Sequence, residues 1–69
     1  MEGLTPGRIV HFVTVDGLHL AALVVTIFNK QEGRVGLQSF DMLGSVGRHD
    51  VPYDESGKTP YSWHWIEKA

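Results

Sequence analysis

The sequence predicts an all-β domain, a small five-stranded antiparallel barrel. Three observations predict it. Two long β-rich runs, about residues 8–15 and 18–28, flank a single Asp16-Gly17, a dipeptide that tolerates the positive φ of tight hairpin turns. Turn-forming residues then recur at intervals that leave room only for short strands. No stretch carries a helical pattern of useful length. Residues 18–28 have the apolar content of a helix, but Val24, Val25, Thr26 and Ile27 are β-branched and the Asp-Gly turn lies just upstream.

The elements follow in order. Residues 1–6 read as a loose lead-in arm, and Pro6-Gly7 punctuates the entry to the first strand. That strand, about Arg8 to Val15, has Ile9, Val13 and Val15 on one face and Val10 and Phe12 on the other. A type I′ turn at Asp16-Gly17 leads to the second strand, about Leu18 to Phe28. Asn29 to Gly33 is polar, ends in Gly and suits a hairpin loop. The third strand is about Arg34 to Phe40, with Gly36 marking a bulge or a close backbone approach. Residues 41–50, with Gly44, Ser45 and Gly47, read mainly as a loop that exposes Met42 and Leu43. The fourth strand is short, about His49 to Tyr53, and Pro52 marks an edge or a strand end. Asp54 to Pro60 is a second loop, Tyr61 to Ile66 the fifth strand, and residues 67–69 a tail. Five short strands joined mainly by hairpins suit an SH3-like barrel.

Size and charge narrow the function. The chain has 69 residues and no cysteine, so one small core must hold it together without a disulfide. Oligomerisation or a bound partner is the remaining common supplement, and the apolar character of both faces of the first hairpin predicts a homo-oligomer or a complex with another protein. The formal charge is −2 and the basic residues are scattered, which argues against nucleic acid as a partner. Nothing at the N-terminus resembles a signal peptide, and the longest apolar run, Leu20 to Val25, is far short of a membrane span, so no membrane partner is expected.

The candidate chemistry lies in histidines and aromatics. His11, His19, His49 and His64 are the titratable candidates, and pairing of the first strand with the last would bring His11 near His64. Their spacing matches no metal motif, so neither a metal nor a cofactor is expected. Trp63-His64-Trp65 is the other constellation. Strand alternation puts both Trp on one face, either closing the core or offering a stacking surface, with His64 on the other face. The predicted ligand-binding set is His11, His19, Trp63 and His64, with Tyr53 and Tyr61 at its border. No catalytic residues are predicted: no serine has a triad or elbow context, Asp54-Glu55 lies in an ordinary turn, and Gly44 to Gly47 is too short for a phosphate loop.

Four blocks carry a resemblance. Gly7-Arg-Ile-Val-His-Phe12, Asp16-Gly17 with His19, Ala22 and Val24-Val25, Val51-Pro-Tyr-Asp-Glu-Ser56 and Ser62-Trp-His-Trp65 together resemble a family of short phage and prophage proteins. The resemblance covers most of the chain. It departs at Leu20-Ala21, where that family has Arg-Pro, and at Ile66, where it has Pro. The first hairpin is also similar to the start of Tudor-type and SH3-like barrels. The resemblance implies a phage setting and two classes of function. One is a non-enzymatic binding protein in the infected host's cytoplasm that sequesters a nucleotide-derived immune signal, an anti-defence role. The other is a virion component, such as a capsid decoration or head–tail protein.

Overall fold

The computed structural model describes residues 1–66, so the expected tail at 67–69 lies outside the described residues. The five strands are β1 (Ile9–Val13), β2 (His19–Asn29), β3 (Arg34–Asp41), β4 (Gly44–Val51) and β5 (Ser62–His64). They form one antiparallel sheet in the order β4-β3-β2-β1-β5. The first four make a meander, and the last returns to the free edge of β1. This is the small SH3-like, all-β arrangement that the sequence predicts. Beyond β4, a parallel bridge of Tyr53 with Trp63 begins to close the sheet on itself. The Trp63 amide donates to the Pro52 carbonyl at 3.0 Å, and the Asp54 amide donates to the Trp63 carbonyl at 3.0 Å. Among the described residues no helix is long and apolar enough to cross a membrane.

The first turn differs from its expected form. Gly17 has φ +84°, but Asp16 does not have positive φ, so the turn is not type I′. The Gly17 amide donates to the Thr14 carbonyl, and the Thr14 amide donates to the Leu18 carbonyl. That is the bonding of a three-residue loop, a turn followed by one left-handed glycine. The Thr14 hydroxyl holds it by accepting from the Leu18 amide at 3.0 Å. Strand β1 therefore ends at Val13, and Val15 is exposed in the loop.

The fourth strand, expected at about His49 to Tyr53, instead runs from Gly44 to Val51: residues 44–48, read as loop, join it, and Pro52 and Tyr53 fall outside it. Gly44, Ser45 and Gly47 have little strand preference of their own. Pairing with β3 and the preceding turn override that. The Asp41 carboxylate accepts from the amides of Leu43 and Gly44, which leaves Met42 and Leu43 alone at the tip. Strand β5 is also shorter than expected, ending at His64.

The core fills one side of the sheet: Val10, Phe12, Ala22, Val24, Val35, Leu37, Val51 and Trp63, all buried. The N-terminal arm completes it and is not loose. Leu4 is fully buried in this core and Met1 packs against it. The arm is tied down by the Gly7 amide donating to the Val24 carbonyl at 2.7 Å and by the N-terminal ammonium donating to the Lys30 carbonyl at 3.0 Å.

The carboxylates make this fold acid-sensitive. Arg34 donates two hydrogen bonds to Asp50, at 2.9 and 3.0 Å. The hydrogen bond from Arg34 holds the Asp50 carboxyl below its ordinary range. Asp54 is likewise lowered, first by the hydroxyl of Thr59 and then by the amide of Ser56. A carboxyl lowered in the folded state binds its proton more readily in the unfolded chain. Its stabilisation is complete above the unfolded value and fades as pH falls through the folded one. The contribution of these two carboxylates to the urea midpoint is therefore expected to be lost below about pH 4. In Asp50→Asn that acid limb should be shallower.

Candidate functional site

The outer face of the sheet carries the histidines. In the β1–β5 ladder His11 lies directly opposite His64. In the β1–β2 ladder Val13 lies opposite His19, which puts His19 on the diagonal from His11. Three neighbouring strands thus bring three imidazoles together. Ring centroids are 4.9 Å apart for His19 and His64, 5.5 Å for His11 and His64, and 6.2 Å for His11 and His19. Each can present a ring nitrogen such that all three lie within 4.8 Å of one another. His64 is buried at 3% exposure, His11 is half-buried and His19 is exposed. Imidazole nitrogens so grouped are the donors that could hold a transition-metal ion. The expected proximity of His11 and His64 is thus observed, and His19 joins them.

The other predicted residues lie elsewhere. Trp63 is fully buried, its indole N–H donating to the Gly33 carbonyl at 2.6 Å, so it belongs to the core and lines no surface. Tyr53 packs against Trp63 with ring centroids 4.8 Å apart. Burial pushes its phenol above the ordinary value, and the charges of Glu55 and Asp54 add to that. Tyr61 sets its ring edge-on to Phe12 at 5.4 Å and donates its hydroxyl to the His49 carbonyl at 2.7 Å. Both tyrosines therefore serve packing. His49 lies against Phe28, apart from the histidine cluster.

Two residues outside the predicted set, Arg8 and Trp65, border an open cleft. Just past the end of β5, Trp65 packs half-buried against the core, its ring perpendicular to that of Trp63 at 5.1 Å. The Arg8 guanidinium stands over its ring, 5.3 Å from the centroid. Gly7, Arg8, Ile9, Trp65 and Ile66 line this shallow, open cleft of about 490 Å³. Beyond Ile9, an apolar hollow of about 230 Å³ is lined by Ala21, Ala22, Leu23 and Phe40. The signal for Arg8 and Trp65 was their place in two blocks rich in aromatic and histidine residues.

No family model, curated protein or solved structure matches the chain.

Proposed function

We propose that this chain is a non-enzymatic, phage-encoded binding protein that captures a small nucleotide-derived signal of the host. The observation that supports this reading is the pairing of Arg8 with Trp65 in one open cleft. An indole gives a base a surface to stack on, worth about 1–3 kcal/mol in comparable contacts. A guanidinium presents a planar fork that matches a phosphate. Ile9 and Ile66 add apolar wall, and the cleft volume of about 490 Å³ is that of a small-molecule site. The phage setting rests on the four sequence blocks. Titration calorimetry with AMP, ADP-ribose and a cyclic dinucleotide tests the reading. At least one of them should bind. Arg8→Ala should weaken that binding by about tenfold or more, as expected when a charged hydrogen bond of about 1.5–3 kcal/mol is lost, with little change in melting temperature. Binding of none of the three, or unchanged affinity in Arg8→Ala, sinks it.

A second reading is favoured by the β3–β4 hairpin tip. Met42 and Leu43 are fully exposed there, side by side. Such a tip suits docking on another phage protein, as a capsid decoration or head–tail component would dock. Mass spectrometry of purified particles separates the two: a virion component is found in the particle, and a capture protein of the infected cytoplasm is not.

A further inference from the structure

We propose that His11, His19 and His64 form a binding site for a divalent transition-metal ion of the zinc class. The site is distinct from the Arg8–Trp65 cleft and does not depend on the nucleotide reading.

The geometry of the donors is the first ground. Three imidazoles come from three adjacent strands, with donor nitrogens within 4.8 Å of one another. A tetrahedral zinc ion with Zn–N bonds of about 2.0–2.1 Å sets its donors roughly 3.4 Å apart. Closing that gap takes a shift of about an ångström or somewhat more, which side-chain torsions supply. His19 is exposed, at the first position of β2, and is free to make most of the movement. The rings are inclined by 63°, 82° and 63°, so no pair is stacked face to face.

The surroundings are the second ground. The loop between β4 and β5 folds over the cluster at Gly57. A Cβ added there would lie 3.2 Å from Cε1 of His64 and 3.5 Å from Cε1 of His19. The loop thus comes down on the imidazoles at a residue with no side chain, and its φ of +70° is one that other residues rarely adopt. Asp54, at the start of this loop, places a negative charge within electrostatic reach of His64. A carboxylate near a ligating imidazole favours a bound cation.

The third ground is what such an ion would do for the fold. Strand β5 is held to β1 by only three residue pairs. An ion shared by β1, β2 and β5 would tie this short pairing to the centre of the sheet. Chains of this size commonly need such a staple, and this one has no cysteine to provide it. Three protein donors leave a fourth position for water or an anionic ligand.

The test uses the full chain, stripped of metal with a chelator. Cobalt(II) is titrated and followed by the visible bands of a tetrahedral ion, and zinc is titrated by calorimetry and by melting temperature. The expected result is one ion per chain and a melting temperature that rises with zinc concentration. His19→Ala is the decisive variant, because an exposed residue can be replaced without loss of fold. It should weaken cobalt and zinc binding by more than about tenfold, the lower end of what loss of even an outer partner costs. His49→Gln should bind as the unaltered chain does. Absence of a cobalt spectrum and of a zinc-dependent melting shift in the unaltered chain overturns the proposal. So does equal affinity in His19→Ala. Nucleotide binding in His19→Ala reports on the Arg8–Trp65 cleft separately.

Discussion

Trp63→Ala should leave most of the chain unfolded at room temperature. Trp63 is the largest fully buried side chain, and it meets Tyr53 and Trp65 as well as the central core. Replacing a buried Trp by Ala costs about 3–5 kcal/mol. A domain this small rarely has more than about 3–5 kcal/mol in reserve. The cost here also includes the Gly33 carbonyl, which loses its indole donor in the interior. Trp63→Phe separates the two contributions. It keeps much of the ring volume and removes only part of the packing, but it still orphans that carbonyl, at about 1–3 kcal/mol. Urea titration followed by circular dichroism should place Trp63→Phe between the unaltered chain and Trp63→Ala. Trp65→Ala should remain folded under the same conditions. A folded Trp63→Ala with an unchanged urea midpoint would mean that the core closes without it.

The second large effect is expected at Leu4. A fully buried Leu replaced by Ala costs about 2–5 kcal/mol, depending on how far the site collapses. Leu4 is the fully buried anchor of the arm, so a smaller residue there gives the arm less reason to stay docked. Loss of the arm would also break the bond from Gly7 to Val24 and uncover the end of the core. Leu4→Ala should therefore lower the urea midpoint sharply, and deletion of residues 1–6 should lower it further. Hydrogen exchange at Val24 and Val35 would report the exposure directly. Equal stability of the deleted and intact chains would show the arm to be dispensable.

The strands that were legible in the sequence are those whose side chains carry their own preference. Residues 9–13 and 19–29 are rich in β-branched and aromatic residues, and Asp16-Gly17 marks the turn between them even though its form is a three-residue loop. The first part of strand β4 was not legible, because Gly44, Ser45, Gly47 and Arg48 do not favour strands. They are held by β3 and by the Asp41 carboxylate. Leu4 was hidden for a related reason: one apolar residue between Gly3 and Pro6 makes no periodic pattern, and its burial depends on distant elements. In the candidate site, His11 and His64 followed from the pairing of first and last strands. The addition of His19 required the register that the three-residue loop sets. The two Trp residues were expected on one face, and both meet the same core: Trp63 is fully buried in it, and Trp65, just past the end of β5, packs half-buried against it and also borders the cleft with Arg8.

The pairing of β1 with β5 has a consequence for the order in which the fold is made. Neighbouring strands of the meander close short loops, whereas β5 must find β1 across most of the sequence, so the β1–β2–β3–β4 meander can pair before β5 docks. During that interval β1 presents an open edge of unpaired amides and carbonyls, beside apolar side chains awaiting Trp63. Refolding from urea at high protein concentration gives neighbouring molecules the chance to pair at that edge. A variant that cannot dock β5 should therefore aggregate more on refolding than the unaltered chain.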